Sequence, residues 1–246
     1  MDRMLYVAMS GAKETALAQA RNTQNLANAS TTGFKASLDA FASRHVEGPG
    51  HGTRTFAVTQ DMRVDLSPGS LQTTGRDLDV AVQGEGWLAV LAPDGTEAYT
   101  RAGDLKVDAA GRLTTGAGFP VLGGGGPIGI PPFETLEIGS DGTISIQPLG
   151  QDANALVTVD RIKLVNPNPD ELVLGEDGLI RHREFVEQPA DGRVAVVRGF
   201  LEASNVNTVE AMVNMIELAR QFEMQVKMMK TAEKTDEASA SLLRLS

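Results

Sequence analysis

Cysteine does not occur anywhere in the chain. Its absence excludes disulfides, thiolate metal sites and cysteine nucleophiles together, while leaving the compartment open. Aromatic residues make up only 4% of the chain, and Trp87 is the single tryptophan. The core must then be assembled from Val, Ile, Leu and Ala, which suits slender, repetitive β structure better than a deep substrate pocket. No stretch clusters Lys and Arg, and the formal net charge is −10. Phosphate neutralisation needs a basic surface, so this balance argues against nucleic-acid binding. The sparse basic run from Lys227 to Lys234 includes Glu233 and reads as a solvated helix face. Long apolar runs are missing as well. No segment approaches the ~20 residues of a membrane span, and Met1 to Ser10, with Asp2 and Arg3, holds no signal-peptide core.

What is present is an uneven distribution of glycine and proline over 246 residues, a length that allows one large or two modest domains. From Asp2 to Asn28 only Gly11 interrupts a helix-compatible run, in which Leu5, Ala8, Met9, Ala12, Ala16, Ala20 and Ala27 recur at spacings of three, four or seven. This stripe is narrow and made of small side chains, so it lets another helix approach closely. The run ends in Asn28-Ala29-Ser30-Thr31-Thr32-Gly33, where side chains that bond their own backbone favour a turn. After the capping candidates Asn205-Val206-Asn207-Thr208, about 35 residues lack Gly and Pro altogether. There Val209, Met212, Ile216, Ala219 and Val226 form one stripe, and Met215, Leu218, Phe222 and Met229 form a second beside it. A helix apolar over so much of its circumference needs neighbours on more than one side.

The middle reads as β. Alternating runs such as Leu78-Asp79-Val80-Ala81-Val82, Trp87 to Leu91 and Ala195-Val196-Val197 lie between turn signals spaced ten or so residues apart. Ile138-Gly139-Ser140-Asp141-Gly142-Thr143-Ile144 and Leu174-Gly175-Glu176-Asp177-Gly178-Leu179-Ile180 repeat one motif, with Asp108 to Leu113 a looser copy and Pro93-Asp94-Gly95-Thr96 a further turn. Asp-Gly between apolar residues marks hairpins. The expected fold class is therefore α+β, with terminal helices packed as a pair and a central antiparallel, hairpin-rich domain.

Signals for chemistry are weak. Gly123 to Gly126 is followed by Pro127, Pro131 and Pro132 where a phosphate loop would need a helix N-terminus. His45, His51 and His182 lack metal-ligand spacing, no Gly-x-Ser-x-Gly elbow occurs, and the Asp-Gly turns lack the acidic ladder of a calcium loop. Trp87, in an alternating run, reads as core packing. We expect no catalytic residue, no metal and no cofactor. A wall-polysaccharide hydrolase built on the β domain remains a second reading and would need two carboxylates ~5–9.5 Å apart. A third is an export chaperone, which would have no such β domain.

Three segments carry a family resemblance. Asn25-Leu26-Ala27-Asn28-Ala29-Ser30-Thr31-Thr32-Gly33-Phe34-Lys35 resembles the N-terminal signature of flagellar rod and hook proteins. Leu201-Glu202-Ala203-Ser204-Asn205-Val206-Asn207 with Glu210-Ala211-Met212-Val213 resembles their C-terminal one, and Leu78 to Trp87 the start of their inserted β domain. Met1 to Tyr6, Gly86-Trp87-Leu88, Phe222 to Gln225 and Leu242-Leu243 look like the proximal of the two mid-sized rod types, with the distal type as the alternative.

The resemblance implies a structural subunit of the axial drive shaft. Its helices would lie near the axis and its β domain outward, and it would be exported unfolded through the flagellar export apparatus without a cleavable signal peptide, to the periplasmic rod of the basal body. The implied partners are other rod subunits and copies of itself, with no nucleic acid and no small-molecule substrate. The division expected is 1–34 with 205–246 as the helical assembly core, 35–75 with 190–204 as an extended connection, and 76–189 as the β domain. The assembly interface implied is Leu5, Ala8, Met9, Ala12, Ala16 and Leu26 on the first helix, with Val209, Met212, Ile216, Ala219, Phe222, Val226 and Met229 on the second. Asn25, Leu26, Ala27, Asn28, Thr32, Gly33 and Phe34 form the turn motif. Ala8, Ala12 and Ala16 are expected to face Val209, Met212, Ile216 and Ala219 across an antiparallel seam.

Overall fold

The Gly-poor ends form helices and the Gly-punctuated middle forms strands, so the fold is α+β. The computed structural model describes residues 4–45, 55–150, 156–175 and 177–244. Met1, Asp2, Arg3, His51 and Glu176 lie outside the described residues, as do the side chains of His45, Leu242 and Leu243. The chain divides into two compact units. Met1–Ala27, Ser37–Arg63 and Asn207–Ser246 make the first; Asn28–Ala36 and Val64–Val206 make the second. The stretch 35–75 is thus shared between the two units.

In the helical unit, α1 spans Met4–Ala27 and α2 spans Thr208–Arg244. Asn207 starts α2 as an N-cap. Its Oδ1 accepts from the N–H groups of Val209 at 3.1 Å and Glu210 at 3.3 Å, two donors with no partner inside the helix. The helices run antiparallel. Asn22 Nδ2 donates to the Ala211 carbonyl at 2.7 Å, while Thr15 meets Gln225, much further along α2. Neither is long and apolar enough to cross a membrane.

The side of α2 turned inward is not the one expected. Ala211 and Ala232 are buried and Met215, Leu218, Gln225 and Met229 are half-buried, so the inner face follows steps of four and three residues, with the exposed Phe222 at the intervening place. That is a heptad period, which keeps one seam facing a partner helix. Val209, Met212 and Ile216 lie on an adjacent face and are 70%, 51% and 53% exposed. On α1, Ala8 and Ala12 are buried as expected, but Thr15 and Ala18 continue the buried face and Ala16 is exposed. The reason is geometric. A three-residue step from Ala12 reaches Thr15 on the same side, whereas a second four-residue step carries Ala16 round the helix.

In the β unit the Asp-Gly pairs lie where the sequence places them. Asp94-Gly95 joins Trp87–Leu91 to Glu97–Thr100, Asp141-Gly142 joins Phe133–Ile138 to Thr143–Pro148, and Asp177-Gly178 joins Leu172–Leu174 to Ile180–His182. All three glycines have φ near +80°, which residues with a Cβ adopt only with strain. The aspartates stay with their turns: Asp94, Asp141 and Asp177 accept from the N–H two residues on. A five-stranded antiparallel sheet runs in the order Leu164–Val165, Trp87–Leu91, Glu97–Thr100, Ile180–His182, Leu172–Leu174. Phe133–Ile138, Thr143–Pro148 and Val157–Arg161 form a three-stranded sheet.

Aliphatic side chains fill this unit. Leu88, Val90, Leu105, Leu113, Ile128 and Ile144 are fully enclosed, and Trp87 and Tyr99 anchor a smaller cluster beside them. Leu88→Ala should lower the stability of the β unit by ~2–5 kcal/mol. Urea unfolding followed by Trp87 fluorescence measures the loss, and a change near zero would mean that Leu88 is not part of the packed core.

Candidate functional site

Lys35, Arg101 and Glu202 come from distant parts of the chain and meet inside the β unit. Their side chains are 2%, 5% and 1% exposed. Lys35 Nζ donates to Glu202 Oε1 at 2.6 Å and to the Ser67 carbonyl at 2.7 Å. Arg101 Nη1 donates to Glu202 Oε2 at 3.0 Å, and its Nη2 to the Gly84 carbonyl at 2.8 Å. The Gly69 N–H gives Oε1 a further donor at 2.9 Å. The guanidinium lies 5.0 Å from the centroid of the Trp87 ring, within cation–π range.

Burial alone would raise the Glu202 carboxyl. The hydrogen bond from Lys35, the Gly69 N–H and the charge of Arg101 together outweigh it and hold the group below the ordinary glutamate range. Burial keeps the Lys35 ammonium below the ordinary lysine range despite its bond to Glu202. A cluster this enclosed meets no substrate. Its effect is to fasten three segments together.

Around it, the two terminal signatures are stitched to each other through backbone. The Gly33 N–H donates to the Glu202 carbonyl at 2.7 Å, and the Asn205 N–H to the Phe34 carbonyl at 3.3 Å. Asn205 Oδ1 accepts from the Ala36 N–H at 2.8 Å, while its Nδ2 donates to the Asp65 carbonyl at 2.9 Å. Gly33 has φ +66°, and a Cβ there would lie 2.2 Å from the Arg101 carbonyl carbon. Both the angle and the space demand glycine.

The rest of the turn motif is local. Asn25 exchanges two hydrogen bonds of 2.9 Å with the Ser37 backbone, which closes the chain back onto the end of α1. The Asn28 carbonyl accepts from Thr31, and the Thr31 carbonyl accepts from Phe34. Leu26, Thr32 and Phe34 are half-buried and Ala27 is exposed.

Of the residues assigned to an assembly interface, Leu5, Met9, Ala16, Val209, Met212, Ile216 and Phe222 are exposed. Leu26, Ala219, Val226 and Met229 are half-buried, while Ala8 and Ala12 are covered within the helical unit. Sequence reasoning missed the charge cluster. Lys35 and Glu202 were visible as lone charges within signatures otherwise small or polar, but Arg101 belongs to no motif.

Comparison with known proteins bears on these same segments. Residues 5–35 match the model of the flagella basal body rod protein family, 81–146 the flagellar hook protein FlgE/F/G D1 domain, and 197–242 the flagellar basal body rod FlgEFG protein C-terminal region. The flagellar basal-body rod protein FlgF of Escherichia coli is 42% identical over the whole of both chains. The chain belongs to the flagellar basal-body rod protein family. The Salmonella typhimurium FlgF is 41% identical over the full length, and the Bacillus subtilis FlgG 33% over 99% of this chain. As a rod protein it is a structural subunit of the flagellar basal body, and the higher identities fall on the FlgF type. Lys35, Arg101 and Glu202 lie respectively at the end of the first matched region, within the second and within the third.

Because the folded Glu202 carboxyl titrates below its unfolded value, the unfolded chain binds more protons in acid. The stabilisation is complete above the ordinary glutamate range and is lost as pH falls through the lower, folded value. Glu202→Gln should cost ~3–5 kcal/mol at neutral pH, because it strands two buried cations, and should flatten the acid limb of stability against pH. Chemical denaturation from pH 7 downwards reads both; an unchanged acid limb would show that Glu202 is not the linked group. Gly33→Val should lower the melting temperature of the β unit itself, since the added side chain strikes the Arg101 backbone.

Proposed function

We propose that this rod subunit occupies the proximal rod and polymerises with copies of itself and with neighbouring rod subunits through the outer faces of α1 and α2, the assembled shaft transmitting torque. One observation carries this reading. After the helices have packed on each other, Val209, Met212, Val213 and Ile216 on α2 and Tyr6 and Met9 on α1 are still about half exposed or more. Val209, Met212, Val213 and Ile216 follow helical spacing on α2, while Tyr6 and Met9 lie towards the other end of the antiparallel pair, and exposed apolar strips of this kind mark interaction surfaces. Charge supports it: acidic and basic residues balance in the helical unit, so the net −10 resides in the β unit. Copies can bring their helices together without like-charge repulsion while the acidic β units keep free subunits soluble.

The chain does no chemistry in this reading. A glycosidase acid needs a raised pKa, whereas hydrogen bonds from Thr96, Thr143 and Arg181 hold Asp94, Asp141 and Asp177 below the ordinary aspartate range. Delivery to the periplasmic rod proceeds through the flagellar export apparatus. The FlgG similarity leaves the distal rod as the position to test against, and a basal-body density map with a tagged subunit distinguishes the two.

Ile216→Asp and Met212→Asp should leave the β unit's melting unchanged and abolish rod completion and swimming. Ala12→Leu should act differently, overpacking the buried α1–α2 contact at ~1–3 kcal/mol, while Lys13→Leu on an exposed position should stay within ~0.5 kcal/mol. Normal motility and complete rods in Ile216→Asp would refute assembly through this face.

A further inference from the structure

The buried face of α1 is built largely from alanine, and α2 presents a heptad repeat to it. Such a seam has little to tell one alignment from another displaced by seven residues. Asn22 reaches only a backbone carbonyl, which a displaced alignment also offers, whereas Thr15 and Gln225 meet through their side chains. Thr15 is 4% exposed, and its Oγ1 lies 3.1 Å from Gln225 Nε2 and 3.3 Å from Gln225 Oε1. Thr15 Oγ1 also donates to the Gly11 carbonyl at 2.9 Å. Gly11 is the only glycine in α1, where it costs about 1 kcal/mol relative to alanine. A Cβ at this position would lie 3.0 Å from Gln225 Nε2 and 3.3 Å from its Cδ. The missing methyl makes the space that the glutamine amide occupies.

We infer that Gly11, Thr15 and Gln225 form a register key that fixes the alignment of α1 against α2. Displacing the helices by one heptad moves Gln225 from Gly11 to Ala18, whose methyl intrudes on the amide, or towards the Met4 end of α1. In either case Thr15 meets an apolar residue, Leu218 or Ala232, and loses its partner. A polar residue at one seam position specifies register at some cost in stability. Subunits whose outer faces must match their neighbours need one alignment, and the alanines do not provide it. The inference concerns the lone chain and does not rest on the proposed place in the rod.

The absence of native cysteine makes the test clean. Ala18 and Leu218 lie between the Asn22–Ala211 and Thr15–Gln225 contacts, so an Ala18→Cys, Leu218→Cys pair reports the native alignment. An Ala18→Cys, Ala211→Cys pair reports an alignment displaced by one heptad. On mild oxidation of the purified full chain, the first pair should form a disulfide and the second should not. Adding Gln225→Leu, or separately the near-isosteric Thr15→Val, should raise the yield of the displaced disulfide about tenfold with helix content by circular dichroism unchanged. The inference is overturned if the displaced pair stays unlinked in both variants with the helices intact. It is equally overturned if that pair links as readily in the unaltered background. Loss of helicity in both variants would also overturn it, because the key would then be supporting the helices rather than choosing their alignment.

Discussion

A carboxylate sealed from water must be met by charge and by hydrogen-bond donors, or its burial destabilises the fold. Glu202 imposes that condition on this protein, and Lys35, Arg101 and the Gly69 N–H satisfy it. Most of the arrangement near the ends of the β unit follows from it. Lys35 must be held in the interior, which the Gly33 turn does by passing against the Arg101 backbone at a distance no side chain allows. Arg101 must be oriented, which the Gly84 carbonyl and the face of Trp87 do. Asn205 then ties the strand that carries Glu202 to the segment that carries Lys35. An ion cluster of this kind contributes less net stability than an apolar core of equal volume, but it tolerates one arrangement of its three segments.

The fold was legible where local chemistry decides it. Asp-Gly pairs state their turns because the aspartate bonds forward and the glycine accepts the backbone angle, with no help from the rest of the chain. Both helices were legible from the absence of Gly and Pro, and the α2 cap from Asn207. The pairing of faces was not. Two apolar stripes on α2 are equivalent in sequence, and the choice between them depends on which phase matches the small residues of α1. A one-residue difference, Thr15 for Ala16, then shifts the buried side. The charge cluster was invisible for a similar reason. Arg101 is an ordinary residue at the end of a strand until the fold brings residue 202 to it, and nothing in its neighbours signals burial.

In the proposed assembly the two units divide the labour between permanence and association. Large aliphatic residues are enclosed in the β unit, whereas alanine and threonine supply the buried positions of the two helices and Val209, Met212, Val213 and Ile216 stay outside. A chain optimised to be stable alone would turn those residues inward. In the proposed assembly, keeping them outside would lower the stability of the single subunit and raise that of the polymer, so the concentration of neighbours would become a term in its folding.

The hairpins have a kinetic consequence as well. Each Asp-Gly turn brings together residues only a few positions apart, a step that takes microseconds in an unfolded chain. Lys35 and Glu202 are separated by 167 positions, and their contact has both a long loop to close and the desolvation of buried charges to overcome. Loop closure alone therefore favours the local hairpins forming first in a chain that begins unfolded, and the contacts between its two ends forming last. Until that clasp closes, nothing in the cluster ties residue 35 to residue 202, so the hairpins form without waiting for the two ends of the chain to meet.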